Sequence, residues 1–324
     1  MRFRLNSLTG RYTMFLYTLA TITFLLVAPS YSDNAEWSYK GVNGPENWVN
    51  DYPMCGMQNQ SPIDIVDNET VPMTLGELSF DGCSRAELTD GGYNASIYND
   101  GHTIMVRNDG ASCVISGGHL PGNFKVDHFH LHWGSDSSTG SEHKMDGQVM
   151  SAELHFVARN TDPTNENRAA GFAVFIEIGQ ERNEVYDTFL DYVHQAGYKD
   201  DLASLSHPIP LMELLPDNIL SYYRYNGSKT SPNCFSPIIW TVFPEHVQIS
   251  ETQIQKLRVI NTTAAGMNQA EKMVDNYRPP QPIGSRMVYR NEGGDDVSLA
   301  SMSFVSVELV LGYFVLLAIS VTYI

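Results

Sequence analysis

The sequence is short of positive charge. Its 324 residues contain 20 Lys and Arg against 37 Asp and Glu, which gives a formal net charge of −17 at pH 7. A surface of that sign repels phosphate groups, so it argues against nucleic-acid binding and against docking of the protein surface on anionic lipid. A net charge of this size ordinarily keeps a protein soluble, and solubility is the main explanation for it here.

Internal repeats, low-complexity linkers and long runs of like charge are also missing. Nothing therefore marks a domain boundary between the two apolar ends of the chain. The intervening segment of about 260 residues is compatible with one domain.

The first 32 residues have the composition of a secretory signal peptide. Three arginines precede the apolar run from Met14 to Ala28, and small residues follow it up to Ser32. A basic start, an apolar middle and a small-residue exit are typical of a cleaved signal. We predict that residues 1–32 form this signal, with cleavage near Ser32, and an uncleaved membrane anchor is the alternative.

The C-terminal end is apolar from residue 303 to residue 324, with no basic tail after it. Small and polar residues precede it over 291–302. This order is the pattern of a glycosylphosphatidylinositol (GPI) signal, and it places the attachment residue between Gly293 and Ser301. A plain transmembrane helix is the alternative, because about 20 apolar residues can span a bilayer.

Cysteine usage and sequons both favour an extracytoplasmic compartment. An even number of cysteines in a secreted chain indicates disulfides, and four cysteines allow three pairings. Asn-X-Ser/Thr sequons are acceptors for N-glycosylation in that compartment. The cysteines are Cys55, Cys83, Cys113 and Cys234, and the candidate glycosylated residues are Asn68, Asn94, Asn226 and Asn261.

Most of the regular structure is predicted to be β. Short runs of β-branched and aromatic residues alternate with Gly and Asn/Asp turns, as expected for strands. Only residues 183–196 and 250–260 have convincing helical periodicity, and Ser250 with Gln253 forms a capping-box pattern at the start of the second. The strand-like runs are "ASIYND", "HTIMVRN", "SCVISGG", "FKVDHFHLHW", "SAELHFVAR", "FAVFIEIG" and "IIWTVF".

Three histidines, His128, His130 and His132, alternate within one predicted strand. Side chains two apart on a strand share a face, so the three imidazoles point the same way. A second predicted strand places Glu153 and His155 on one face in the same manner. If the strands are neighbours, His155 completes a set of nitrogens suited to a catalytic zinc with one open position. A polar sheet face that binds no metal is the alternative.

The chain also resembles the α-class carbonic anhydrases over about Trp37 to Arg286. The resemblance implies a single domain over residues 33–290, built on a large twisted, mainly antiparallel sheet of about ten strands with short peripheral helices. The motifs that carry it occur in the family's order: "EWSY", "NGPENW", "QSPIDI", "NDGHTIMV", "FHLHWG", "SEH", "AELHFV", "GSKTSP" and "DNYRPPQP".

The resemblance implies that His130, His132 and His155 are the zinc ligands. It places His128 where a residue orients the first of them. Glu153 would hold the distal nitrogen of a ligand, as residues around metal sites usually do. The implied cofactor is Zn²⁺ and the implied substrates are carbon dioxide and bicarbonate.

The remaining machinery is implied by the same match. Thr230 would accept a hydrogen bond from the zinc-bound hydroxide and donate one to Glu142, a carboxylate that can only accept. His102 would carry the proton away, because an imidazole titrates near neutral pH. Tyr39 and Asn99 would organise the water chain to it.

One position in the implied substrate pocket departs from the family. Val157 and Val174 match the apolar wall for carbon dioxide, but Lys229 stands directly before Thr230, where the family usually has leucine. A lysine there would extend its ammonium into solvent, narrow the pocket or raise the local potential.

The resemblance also pairs Cys55 with Cys234 and leaves Cys83 with Cys113. The leading hypothesis is therefore an extracellular, membrane-anchored carbonic anhydrase of unknown oligomeric state, with no nucleic-acid partner. A catalytically silent binding module on the same fold is the second hypothesis, which Lys229 keeps open. Ester hydrolysis at the same metal is the third.

Overall fold

The computed structural model of the chain describes residues 36–292. The predicted signal peptide, the attachment region from Gly293 onward and the apolar tail over 303–324 lie outside the described residues. Within 36–292, no helix combines the length and the apolar composition that crossing a bilayer requires.

The described residues contain fourteen β-strands, four short α-helices and five 3-10 turns. The strands are β1 Asp64–Ile65, β2 Val71–Met73, β3 Leu78–Asp81, β4 Asn94–Asn99, β5 Ile104–Asp109, β6 Val114–Gly117, β7 Phe124–Trp133, β8 Lys144–Met145, β9 Ala152–Asn160, β10 Ala169–Gly179, β11 Leu202–Leu205, β12 Tyr223–Gly227, β13 Ile238–Ser250 and β14 Tyr289–Asn291. The helices are α1 Trp48–Asp51, α2 Arg85–Asp90, α3 Glu184–Leu190 and α4 Glu251–Arg258. The 3-10 turns are Gly41–Asn43, Pro53–Gly56, Asp67–Glu69, Val193–Ala196 and Leu211–Leu214.

Twelve of these strands form one mixed sheet, larger than the ten predicted. Its main path runs β11-β4-β5-β7-β9-β10-β13-β12-β14-β2, while β3 pairs with β6 and β6 also pairs with β7. Most neighbours are antiparallel, and the parallel pairs are β10 with β13 and β14 with β2. The predicted fold class, a mostly β domain around a mainly antiparallel sheet, is confirmed.

Local sequence signals explain where the helices begin. The predicted capping box is present at α4, where the backbone N–H of Ser250 donates to Gln253 Oε1 at 2.9 Å. The predicted helix over 183–196 is instead α3 followed by a separate 3-10 turn. Helix α2 was not predicted, although Ser84 and Glu87 form the same kind of box before it.

Strands β9 and β10 are buried on both faces over most of their length, and β7 is largely buried from Phe129 onward. One face packs against the main apolar core, which includes Leu131, Leu154 and Phe172. The other face packs partly against a smaller apolar cluster around Trp240 and Phe175. The histidines predicted to bind metal lie on this second face.

All four cysteines form disulfides, in the two pairings that the resemblance implies. Cys55 pairs with Cys234 across 179 residues, and Cys83 pairs with Cys113 across 30 residues. The first bridge ties the N-terminal segment to the loop that carries Thr230. The second joins the turn after β3 to the residue before β6.

Removing the longer bridge is expected to cost more stability than removing the shorter one. A cross-link restricts the unfolded chain more when it closes a longer loop, and a native bridge typically contributes about 2–5 kcal/mol. The chain-entropy model makes the Cys55–Cys234 bridge worth about 1.6 kcal/mol more than the other. Guanidinium unfolding of the two double Cys→Ser variants measures both costs. Equal costs would contradict the entropic account.

Candidate metal centre

Register between β7 and β9 brings the metal-binding histidines together. His130 lies directly opposite His155, and His132 lies opposite Glu153. Directly opposite residues of antiparallel strands share a face, so the three imidazoles meet on one side of the sheet. One ligand atom from each of His130, His132 and His155 lies within 4.8 Å of the other two.

Hydrogen bonds orient two of these rings. His132 donates from Nδ1 to the backbone oxygen of Asn276 at 2.7 Å, and His155 donates from Nε2 to Glu153 Oε1 at 2.5 Å. The opposite nitrogens, His132 Nε2 and His155 Nδ1, are buried without a hydrogen-bond partner. An unpaired buried nitrogen is costly, so two such atoms in one place fit a metal ion that takes their lone pairs.

The electrostatics of the site favour the ligand form of imidazole. Burial lowers the pKa of His130 well below its ordinary value, and the neighbouring histidines lower it further. Burial also lowers the pKa of His155, although Glu153 partly opposes this. Both rings are therefore held neutral at pH 7, with lone pairs free for a metal. Three histidine nitrogens are the ligand set of many catalytic zinc sites.

A second group of possible ligands, formed by His143, Glu153 and His155, overlaps the first. Glu153 Oε1 accepts from His155 and from His143 Nδ1 at 2.6 Å, and Oε2 accepts two backbone N–H groups. Burial alone would raise the pKa of Glu153, but the two histidines outweigh it and hold the pKa below its usual value. This carboxylate is therefore occupied in orienting His155.

His143, which was not predicted to have a role, continues this network. Its Nε2 is 2.7 Å from the hydroxyl of Tyr225, which donates in turn to Ser61 Oγ. His143 stands next to Glu142 in the "SEH" motif, so a signal was present. A single histidine in a loop, however, does not reveal a partner on β12.

His128 does not orient His130 as predicted. Its Nδ1 is 2.8 Å from Asp127 Oδ2, and His130 Nδ1 has no hydrogen-bond partner among the described residues. The reason lies in the strand, because the pairing of β7 with β9 shifts register between Val126 and His128. The shift leaves Asp127 without a partner on β9, and its carboxylate forms a hydrogen bond with His128 instead.

Glu142 reaches the centre of the site from the loop before β8. It is fully buried, and its Oε1 accepts from the backbone N–H of Arg278 at 2.7 Å. That bond directs Oε2 towards the histidines, 3.4 Å from His132 Nε2 and 3.9 Å from His155 Nδ1. Thr230 is also buried, but the predicted bond to Glu142 is not formed, because Oε2 has no hydrogen-bond partner among the described residues.

The assignment of Val174 to the substrate wall is wrong. Val174 pairs with Leu154 and lies in the main apolar core, on the face of the sheet opposite His155. Val157 does share the face of His155, and the residue opposite it is Gly171. A Cβ on Gly171 would lie 2.8 Å from the indole of Trp240, so that ring occupies the space at this position.

His102 lies at the edge of a cavity of 460 Å³ next to the N-terminal segment. Its ring stacks on Trp37, with centroids 3.6 Å apart and planes 8° from parallel. Tyr39 also borders this cavity, and its ring centroid is 6.4 Å from that of His132.

Asn99 does not reach the water chain that was predicted for it. It is fully buried, and its amide nitrogen donates to the backbone oxygens of Ala196 and Asn261, while its oxygen accepts from Gly101. These bonds use both N–H groups of its amide and one lone pair of its oxygen, and they fix the turn before His102. Asn99 therefore supports the backbone and lies outside the cavity lining.

Lys229 does not extend its ammonium into solvent, and Asn261, a candidate glycosylated residue, is buried. The ammonium of Lys229 folds back and donates to the backbone oxygen of Pro232 at 2.8 Å. Asn261 is 5% exposed, and both ends of its amide form hydrogen bonds, which argues against a glycan there. The other sequon asparagines, Asn68, Asn94 and Asn226, are exposed.

Comparison with known proteins agrees with this geometry. The family model of the eukaryotic-type carbonic anhydrases matches residues 43–292. Carbonic anhydrase 7 of Mus musculus is 35% identical over 264 residues, covering 78% of this chain and 96% of the relative. Carbonic anhydrase 4 of Rattus norvegicus is 31% identical, covering 84% and 90%. Carbonic anhydrase 12 of Homo sapiens is 32% identical, covering 81% and 75%. The chain therefore belongs to the eukaryotic-type carbonic anhydrases.

Proposed function

We propose that this carbonic anhydrase hydrates carbon dioxide to bicarbonate at the outer face of the cell membrane. The observation that carries the chemistry is the convergence of three unpartnered buried atoms, His132 Nε2, His155 Nδ1 and Glu142 Oε2. The nitrogens offer lone pairs to zinc and the carboxylate offers an acceptor beside it. When bound by these residues, zinc would lower the pKa of a coordinated water to about 7 and so make hydroxide available as the nucleophile.

Glu142 and Thr230 position the reacting groups. A carboxylate only accepts hydrogen bonds, so a hydroxyl bonded to it must donate and keeps its lone pairs for another donor. With Oε1 held by Arg278, Oε2 is the acceptor available to the Thr230 hydroxyl. Thr230 would then accept from the attacking water and orient it towards carbon dioxide.

The apolar part of the pocket rests on Val157 and Trp240. Val157 shares the face of His155, and the indole of Trp240 lies 4.8 Å from the His155 ring by centroid distance. A hydrogen bond from Trp240 Nε1 to the backbone oxygen of Ser228 fixes that ring. This wall suits carbon dioxide, which is apolar, beside the metal.

His102 is proposed to take the proton to bulk buffer. Burial lowers the pKa of His102, Lys199 and Lys229 lower it further, and Asp100 and Glu36 partly restore it. The ring is therefore neutral at pH 7 and able to accept a proton. The 460 Å³ cavity beside it has room for small buffer molecules, which supports this role.

Replacing His102 with alanine is expected to lower kcat for hydration by roughly ten- to a hundredfold in weak buffer, because it removes a positioned proton carrier. The ratio kcat/KM should change little, because the attack on carbon dioxide takes place before this proton transfer. Added imidazole should restore kcat. An unchanged kcat, or a loss that imidazole does not repair, would remove His102 from the route.

The same assignment predicts where His102 titrates. Its folded pKa lies below the unfolded value of about 6.5, so the contribution of the neutral ring to stability is present above that pH and is lost as pH falls. NMR titration of the ring proton should give a midpoint below 6.5. A midpoint above 6.5 would show that Asp100 and Glu36 dominate its surroundings.

The reaction itself is tested by stopped-flow carbon dioxide hydration between pH 6 and 9, with zinc content determined on the same sample. A zinc-dependent rate that rises through an apparent pKa near 7 is the expected result. Full zinc occupancy without activity above buffer would overturn the enzymatic proposal in favour of a binding module.

The proposed location rests on composition and on the disulfides. The N-terminal pattern of a signal peptide, the apolar residues 303–324 and two disulfides all suit a secreted, GPI-anchored protein. Phosphatidylinositol-specific phospholipase C should release the protein from the surface of expressing cells. Protein that resists the enzyme but dissolves in detergent would instead have a transmembrane anchor.

A further inference from the structure

The backbone of Lys229 is held firmly beside the metal centre. Its N–H donates to the backbone oxygen of Phe235 at 2.8 Å, and the preceding residue, Ser228, accepts from Trp240 Nε1. The disulfide to Cys234 restrains the same loop. The starting point of the lysine side chain is therefore fixed, between β12 and the buried Thr230.

Lys229 lies close to the metal-binding histidines, because the indole of Trp240 donates to the adjoining residue, Ser228, and its ring is 4.8 Å from the His155 ring by centroid distance. In agreement with this placement, the charge of Lys229 contributes to lowering the pKa of His102. Burial lowers the pKa of Lys229 itself, and Asp100 opposes that change.

This cation is incompletely satisfied. One of the three N–H groups of Nζ donates to the neutral backbone carbonyl of Pro232. Among the described residues, no carboxylate lies within ion-pair distance of Nζ, although Asp100 acts on it from further away. A partly buried ammonium with N–H groups to spare favours an anion as its partner.

We propose that Lys229 forms an anion-holding subsite beside the metal, which binds bicarbonate and other small monovalent anions. The subsite rests on the proposed function, in which bicarbonate is formed at the metal. A leucine in this place would offer the product only apolar contact. With lysine the product gains a charge-assisted hydrogen bond, so bicarbonate binds more tightly and leaves more slowly.

The test compares Lys229→Leu, Lys229→Arg and Lys125→Leu in the zinc-loaded full-length protein. Lys125 is exposed on β7, so its replacement removes one positive charge away from the site. Isothermal titration with thiocyanate and with bicarbonate gives the dissociation constants. Lys229→Leu should weaken both anions by roughly ten- to a hundredfold, the usual worth of one charge-assisted hydrogen bond. Lys229→Arg should keep most of the affinity, and Lys125→Leu all of it.

An unchanged dissociation constant in Lys229→Leu would overturn the subsite. If that variant also hydrates carbon dioxide with a higher kcat/KM, Lys229 only narrows the pocket. Zinc content and the thermal unfolding midpoint establish that each variant is folded, and Lys229→Met replaces Lys229→Leu if the latter is not. A wild-type protein that binds the anions through Lys229 but does not hydrate carbon dioxide would overturn the proposed function and leave the subsite standing.

Discussion

Replacing His155 with alanine is expected to remove zinc from the protein and to lower carbon dioxide hydration by at least about a thousandfold. The variant keeps His130 and His132, but two imidazoles do not make the three-ligand site that catalytic zinc requires. Without the metal, the pKa of the water rises far above 7, and hydroxide at neutral pH becomes scarce. Zinc content by mass spectrometry and stopped-flow rates measure the two losses.

His194 offers the matched control. It is exposed in a 3-10 turn, so His194→Ala removes an imidazole without touching the site. Its zinc content and rate should equal those of the wild type. If His155→Ala retained zinc in a one-to-one ratio, the ion would be held by another group, and the ligand assignment would fail.

Alternation made the ligands predictable from sequence. Residues two apart share a strand face, and the motifs of the family showed which pair of strands carries the set. The other face of both strands is apolar, with Leu131 opposite Leu154 in the main core, and burying that face favours the pairing of β7 with β9. The zinc site is accordingly the best-predicted part of the molecule.

The substrate wall was harder to predict because it depends on register. Val174 and Gly171 are three residues apart on β10 and therefore face opposite sides of the sheet. Both are apolar or small, so composition does not distinguish them. Only the pairing of Gly171 with Val157 shows which one lies beside the histidines.

Polar roles depend on partners distant in sequence. Asn99 donates hydrogen bonds to the backbone oxygens of Ala196 and Asn261, which are 97 and 162 residues away in the sequence. No local sequence pattern indicates these bonds. The side chain of Asn261 likewise bonds to Gly197, 64 residues away. His143 with Tyr225, and Trp37 stacked on His102, were missed for the same reason.

Replacing Glu142 with glutamine is expected to lower kcat/KM for hydration by roughly a hundred- to a thousandfold while zinc stays bound. If the glutamine oxygen keeps the bond from Arg278, the new NH₂ group takes the place of Oε2. An NH₂ group donates and cannot accept, so the Thr230 hydroxyl would have to accept from the glutamine. It would then no longer be oriented to accept from the attacking water. The group 3.4 Å from His132 Nε2 also changes from a carboxylate oxygen to an amide NH₂. Stopped-flow rates measure the loss of kcat/KM, and zinc content shows whether the metal stays bound.

Glu213→Gln is the control, because Glu213 is exposed and pairs only with Arg85 at the surface. It should leave rate and zinc content unchanged, since an exposed ion pair contributes little. Thr230→Val should reproduce the Glu142→Gln defect, and the double variant should be little worse than either single one, because the two residues act as one unit. Additive losses would mean that Glu142 acts directly on the metal ligands. Loss of zinc in Glu142→Gln would point to the same conclusion, because a residue that only orients Thr230 has no reason to affect metal affinity.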